Sequence, residues 1–158
     1  MSRVQLALRV SDLEGSVAFY TRLFGVEPAK RRPGYANFAV GEPPLKLVLI
    51  EGDAGQPTVM DHLGVEVFTG EDVRAATARL TDAGLITRTE NDTSCCYALQ
   101  DKVWVHGPGR EPWEVYVVKA DADTLGKSAD GAAQACCTAT TGPAEAATAG
   151  AGCSCGPA

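Results

Sequence analysis

The sequence predicts an α+β fold built from two βαβββ modules that face each other across a cleft, followed by a disordered tail. Three observations lead there. Apolar residues recur with strand and helix periods as far as Lys119. The order strand, helix, three strands runs through the chain twice. From Ala120 to Ala158 there is no aromatic residue, and Leu125 is the one aliphatic side chain larger than alanine. Such a stretch buries too little apolar surface to offset the entropy of ordering it. The expected division is therefore a domain over 1–119, with modules at about 4–51 and 62–118, and a flexible Ala/Gly-rich, Cys-containing tail over 120–158.

The elements follow in order. Val4 to Val10 alternates as a strand, with Gln5, Ala7 and Arg9 on one face and Leu6, Leu8 and Val10 on the other. Ser11-Asp12-Leu13-Glu14 has the form of a capping box. The helix after it places Leu13, Val17, Tyr20 and Leu23 on one face and stops at Gly25. Lys30 to Arg32 predicts a short strand. Tyr35 to Val40 and Leu45 to Glu51 predict two more, joined through Gly41-Glu42-Pro43-Pro44. The second module repeats this with a strand over His62 to Val67 and a helix over Glu71 to Ala83 that buries Val73, Ala76 and Leu80 and ends at Gly84. Leu85 to Arg88, Val103 to Val105 and Trp113 to Val118 predict its three remaining strands.

The two modules align position by position. Gln5-Leu6-Ala7-Leu8 matches His62-Leu63-Gly64-Val65, Arg22-Leu23 matches Arg79-Leu80, and Pro44-Leu45-Lys46 matches Pro112-Trp113-Glu114. Equivalent positions of a duplicated unit lie across a pseudo-twofold axis. Gln5, His62, Lys46 and Glu114 are then expected to point into one cavity. Gln5, His62 and Glu114 offer an amide oxygen, an imidazole nitrogen and a carboxylate. This set is a variant of the facial triad of two His and one carboxylate, which leaves coordination positions open. A cationic Lys46 cannot coordinate. The other histidine, His106, precedes Gly107-Pro108-Gly109 and is expected to be exposed in a turn.

Cys95 and Cys96 are adjacent, inside a body with no other cysteine. Neighbouring residues are poorly spaced for a disulfide. Two thiolates suit one soft centre such as As(III), Cd(II) or Zn(II), whereas two buried small apolar residues are the plainer alternative. Side chains of neighbouring strand residues point to opposite faces, so a shared ligand requires Glu90 to Ala98 to leave strand geometry. Asn91-Asp92-Thr93-Ser94 is rich in turn formers, and a mobile loop is expected there.

Composition narrows the function classes. A formal net charge of −6 over 158 residues argues against a nucleic-acid partner. Lys30-Arg31-Arg32 is too short to make a basic patch. No stretch is long and apolar enough to span a membrane, and Met1-Ser2-Arg3-Val4 lacks a signal sequence. A reducing cytoplasm is the expected compartment, where six cysteines point to thiol or metal chemistry rather than to disulfides.

The pattern resembles the vicinal oxygen chelate superfamily over about residues 4 to 118, and within it the organoarsenical carbon–arsenic lyases and cadmium-inducible proteins. The stretches that carry the resemblance are Arg32-Pro33-Gly34-Tyr35-Ala36-Asn37-Phe38-Ala39, Pro43-Pro44-Leu45-Lys46-Leu47-Val48-Leu49, His62-Leu63-Gly64-Val65-Glu66-Val67, Cys95-Cys96, Gln100-Asp101-Lys102-Val103-Trp104-Val105 and Trp113-Glu114-Val115-Tyr116. The resemblance implies metal ligands at Gln5, His62 and Glu114 and arsenic-binding thiols at Cys95 and Cys96. It implies Fe(II) as cofactor, with Ni, Co or Zn able to substitute, and dioxygen as co-substrate. A trivalent organoarsenical such as methylarsonous acid would give inorganic As(III), with formaldehyde from the methyl group. Two rivals fit the same residues. One is a non-catalytic protein that binds Cd(II) or As(III), and the other is a glyoxalase or extradiol dioxygenase acting on a carbon-only substrate.

Overall fold

Two amphipathic helices and one curled sheet of eight strands account for residues 2–126, which the computed structural model describes. The elements are β1 (Arg3–Val10), α1 (Leu13–Phe24), β2 (Lys30–Arg32), β3 (Tyr35–Val40), β4 (Leu45–Glu51), β5 (Val59–Glu66), α2 (Gly70–Asp82), β6 (Arg88–Cys95), β7 (Ala98–His106) and β8 (Pro112–Asp121). The expected tail and its Cys136, Cys137, Cys153 and Cys155 lie outside the described residues, apart from the segment up to Gly126. The break in composition at Lys119 is not the end of the sheet. β8 runs on to Asp121, with Leu99 opposite Ala120 and Ala98 opposite Asp121.

The strand order β2-β3-β4-β1-β5-β8-β7-β6 reads the same outward from the β1/β5 seam. β1 is parallel to β4, β5 is parallel to β8, and β1 and β5 run antiparallel. At the seam Gln5 lies opposite Gly64 and Ala7 opposite His62, which makes Gln5 the counterpart of His62 and Ala7 the counterpart of Gly64. Ala7 sits beside Val48, and Gly64 sits beside Glu114. The ladders thus make Val48 the counterpart of Glu114, correcting the match to Lys46. The two prolines that guided that alignment occupy different registers.

Alternation sorts the strands between two faces. Leu6, Leu8 and Val10 on β1, with Leu47 and Leu49 on β4, pack against Leu13 and Val17 of α1. Ala7, Val48 and Ile50 face the cleft with Tyr35 and Tyr97. In the second module, Val73, Ala76 and Leu80 of α2 pack on Val103 and Val117. Each fully buried aliphatic side chain of this kind stabilises the fold by roughly 1.5–3 kcal/mol.

Local chemistry adjusts several boundaries. Asp12, not Ser11, caps α1, its carboxylate accepting from the Gly15 N–H at 2.9 Å. Gly25 ends the helix at φ 67°. Phe24 packs on the core and Leu23 is exposed, contrary to expectation. At 100° per residue, Phe24 returns to within about 20° of Leu13, while Leu23 is off by about 80°. α2 starts one residue early because Thr69 and Asp72 form a capping box. Leu85 and Ile86 are exposed rather than in a strand, and β6 begins only at Arg88. β5 starts three residues before His62, at Val59. No helix among the described residues is long and apolar enough to cross a membrane.

Candidate functional site

Strand parity brings Gln5 from β1, His62 from β5 and Glu114 from β8 to one buried point. Gln5 Nε2 lies 3.0 Å from His62 Nε2 and donates to Glu114 Oε1 at 2.7 Å. His62 Nε2 is 3.3 Å from the same carboxylate oxygen. All three residues are buried, although each side chain is polar. Buried polar groups need partners, and here each finds them among the other two and a ring of supporting groups.

Those supporting groups orient the three. Asp61 Oδ1 lies 2.7 Å from His62 Nδ1 and accepts its hydrogen bond, which orients the ring so that Nε2 faces Gln5 and Glu114. The Tyr116 hydroxyl donates to Gln5 Oε1 at 2.5 Å. Lys102 Nζ donates to Glu114 Oε2 at 2.8 Å, which leaves Oε1 for the shared point. Lys102 is itself 1 % exposed and lies over the rings of Trp104 and Tyr116. Gly64 makes room, since a Cβ there would sit 3.1 Å from Glu114 Cγ and 3.3 Å from Gln5 Nε2.

Electrostatics reinforces the geometry. Burial works against the His62 imidazolium, but hydrogen bonds to Asp61 and Glu114 outweigh it and hold the pKa up at about 9. Burial also works against a charged Glu114, yet the His62 hydrogen bond and the Lys102 charge hold its carboxyl down at about 2. Glu114 is therefore an ionised carboxylate inside the protein.

The donor set fits a metal ion. A cation coordinated by His62 Nε2 and Glu114 Oε1 would take the place of the imidazole proton. Turning the Gln5 amide by 180° would bring Oε1 to the ion and Nε2 to the Tyr116 oxygen. Among the described residues no group of three or more His, Cys, Asp and Glu side chains is placed to hold a metal ion. The set reaches three only through the amide of Gln5.

Cys96 of the thiol pair opens onto a cavity shared with Gln5 and Glu114. A space of about 150 Å³ is lined by Gln5, Lys46, Glu114, Cys96 and Gln100, among others. Cys95 Sγ and Cys96 Sγ are 3.2 Å apart, beyond the length of a disulfide bond. The expected loop over Glu90 to Ala98 is instead a hairpin, with Cys95 paired to Ala98. At its tip the backbone leaves strand geometry at Cys96 and Tyr97, at φ 57° and 58°. Two consecutive left-handed residues turn both thiols toward one side. The turn-forming Asn91-Asp92 makes a bulge between Glu90 and Thr93, with Asp92 at φ 51° and its N–H bonded to Asp101. The hydrogen bond with the Cys95 sulfur, together with burial, raises the Cys96 thiol pKa well above the ordinary range.

Lys46 reaches the cavity as expected, buried beside Glu66 at 3.6 Å and over the Tyr116 ring at 4.9 Å. His106 is exposed, as expected, but it is the last residue of β7 rather than part of the turn. Sequence reasoning did not assign Lys102, Tyr116 or Asp61. The signal for Lys102 and Tyr116 was present, because strand parity puts Lys102 on the face of Trp104 and Tyr116 on that of Glu114. Asp61 carried no such signal, because it adjoins His62 and lies outside the expected strand.

A family model for the Glyoxalase/Bleomycin resistance protein/Dioxygenase superfamily matches residues 3–118. A trivalent organoarsenical cleaving enzyme of Thermomonospora curvata is 67% identical over 138 residues, covering 87% of this chain and 89% of that protein. The cadmium-induced protein CadI of Mycobacterium tuberculosis is 58% identical over 143 residues, covering 87% of this chain and 93% of that one. An extradiol ring-cleaving dioxygenase from Brevibacterium fuscum is similar in structure with a TM-score of 0.55 and 23% identity, over 78% of this chain and 34% of that one. This last likeness shows the fold alone.

Proposed function

The chain belongs to the glyoxalase/bleomycin resistance protein/dioxygenase superfamily, and from that premise we propose that it cleaves the carbon–arsenic bond of trivalent organoarsenicals. The observation that carries this reading is one cavity lined both by Cys96 of a thiol pair 3.2 Å apart and by Gln5 and Glu114 of the polar triad. The name of the Thermomonospora relative supports it.

In this reading Cys95 and Cys96 condense with the two hydroxyls of an arsonous acid. Two As–S bonds form and two waters leave. The remaining substituent on arsenic is the carbon group, and a position fixed by two bonds makes its approach to the triad effectively intramolecular. Gln5, His62 and Glu114 would hold Fe(II), which would supply redox chemistry with dioxygen when bound; Ni, Co or Zn could occupy the same donors. Lys102 keeps Glu114 charged and turned toward the shared point, and Asp61 fixes the His62 tautomer. For the methyl substrate, one methylarsonous acid and one dioxygen give one formaldehyde and one arsenous acid. Atoms balance and no added reductant is needed. The setting we propose is detoxification of arsenic in the cytoplasm.

A second reading is sequestration of Cd(II) or As(III) without cleavage, favoured by the thiol pair itself. Incubating methylarsonous acid with Fe(II)-loaded protein in air and under anaerobic conditions separates the two. Inorganic As(III) released only with Fe(II) and dioxygen supports the lyase. Tight binding with no change in arsenic speciation supports sequestration.

A further inference from the structure

The chain does not leave the body after β8. Residues 122–126 double back over the tip of the β6–β7 hairpin and touch the two cysteines directly. The Cys96 N–H donates to the Leu125 carbonyl at 2.5 Å, and the Tyr97 N–H donates to the Thr124 carbonyl at 3.2 Å. In return the Ala122 N–H donates to the Tyr97 carbonyl at 3.0 Å. Ser94 Oγ and Thr124 Oγ1 lie 3.2 Å apart. Leu125 packs with Cys96 against Tyr35 and Tyr97. Gly126 lies so close that a Cβ would meet the Ser94 carbonyl oxygen at 1.9 Å and Cys95 Cα at 3.2 Å.

These contacts answer a need that the hairpin cannot meet by itself. Cys96 and Tyr97 both adopt the left-handed conformation, which is disfavoured for residues with a Cβ. The β6–β7 ladder ends at Cys95 and Ala98, so it provides no partner for the peptide groups between them. Unpaired backbone groups away from water are costly. The segment after β8 supplies the acceptors for both N–H groups and one donor for the carbonyl, whose other donor is Lys30 Nζ at 3.2 Å. This same turn places Sγ of Cys95 and Cys96 on one side.

We propose that residues 122–126 are a strap that positions the thiol pair, so that the arsenic site includes chain beyond the last strand. The proposal rests on the reading of Cys95 and Cys96 as the arsenic-binding thiols. It makes Thr124, Leu125 and Gly126 positioning residues. None of them touches the triad in the described contacts, so the strap acts on arsenic binding and not on metal binding.

The test uses the full-length chain with Cys136→Ser, Cys137→Ser, Cys153→Ser and Cys155→Ser, so that the added arsenical reports on Cys95 and Cys96. Phenylarsine oxide and Co(II) are titrated separately, and amide exchange is followed at Cys96 and Tyr97. Gly126→Val drives the strap off its seat, Leu125→Ala removes its packing, and Gly41→Ala, which meets nothing within 4 Å, is the control. Both strap variants are expected to weaken phenylarsine oxide binding by about tenfold or more, to speed exchange at the two amides, and to leave Co(II) affinity unchanged. Unchanged arsenical affinity in both variants overturns the strap. Equal losses of arsenical and Co(II) affinity overturn it too, because the effect is then global. If the unsubstituted background binds phenylarsine oxide no better than Cys95→Ser, the reading of the thiol pair fails and takes the strap with it. Binding that survives Gly126→Val and Leu125→Ala but not Cys95→Ser rejects the strap alone.

Discussion

The two modules share one topology and differ in what they deliver to the cleft. In the first, the outer hairpin is short: β2 has three residues, and its turn ends at Gly34, φ 68°. The matching hairpin of the second module has strands of eight and nine residues. Its tip reaches across the cleft to the first module, where the Tyr97 hydroxyl donates to the Pro33 carbonyl at 2.9 Å and its ring packs near that of Tyr35 at 5.6 Å. The extension carries Cys96 into the cavity, with Cys95 Sγ 3.2 Å from its sulfur. The seam shows the same asymmetry. Ala7 and Gly64 are counterparts, yet only Gly64 faces two polar side chains that a Cβ would crowd. Duplication thus made a symmetric frame, and the second module elaborated it into a site while the first supplies Gln5 and a wall that mixes apolar Tyr35 and Val48 with cationic Arg3 and Lys46.

This division of labour can be broken by experiment, starting with its largest consequence. Cys95→Ser or Cys96→Ser should cut arsenical cleavage by about a hundredfold or more, through loss of positioning, with metal affinity unchanged. Arsenic speciation after fixed-time turnover reads the first quantity and metal titration the second. Next is the buried pair of Lys102 and Glu114, 1% and 3% exposed at their side chains. Lys102→Met removes one of the two cationic partners of the buried Glu114 carboxylate, leaving His62, and should lower stability by about 3 kcal/mol in urea unfolding. A variant as stable as the parent would show that Glu114 is held by other means.

Smaller effects sharpen the contrast at the seam. Gly64→Ala should weaken Co(II) binding by about tenfold, as expected for donors displaced by a few tenths of an ångström. The counterpart change Ala7→Gly should cost only about 0.5–1 kcal/mol of stability and leave metal affinity alone. Equal effects on metal affinity would erase the asymmetry. The smallest effect is in thiol reactivity. Because the Cys96 pKa is raised by the Cys95 sulfur and burial, less thiolate is present at pH 8 than in a free cysteine. Alkylation of Cys96, followed by peptide mass spectrometry, should be slower than for free cysteine there and keep rising with pH beyond the range where free cysteine levels off.

Much of this frame was legible in the residues. The repeated element order, the cleft face of β1 and the convergence of Gln5, His62 and Glu114 follow from period and duplication, which are properties of local pattern. What escaped depends on register or on tertiary context. The match of Lys46 to Glu114 failed because a proline alignment carries no information about ladder register, and a two-residue slip preserves strand parity. Arg88–Cys95 contains no aliphatic residue, so β6 has no apolar alternation to detect. Leu85 and Ile86 have strand propensity but remain exposed after Gly84. Residues 122–126 looked like tail because Leu125 is their one large apolar residue, and their contacts are mostly through backbone, which composition does not encode.

The central claim is that both thiols hold one arsenic with its carbon group directed into the cavity of the triad. Arsenic-edge X-ray absorption tests it most directly, on anaerobic Fe(II)-loaded, full-length protein carrying Cys136→Ser, Cys137→Ser, Cys153→Ser and Cys155→Ser, with one equivalent of methylarsonous acid. The account predicts two sulfur neighbours and one carbon neighbour on arsenic, with the sulfur signal reduced by Cys95→Ser or Cys96→Ser. Arsenic surrounded by oxygen, or a spectrum indifferent to either substitution, would contradict it.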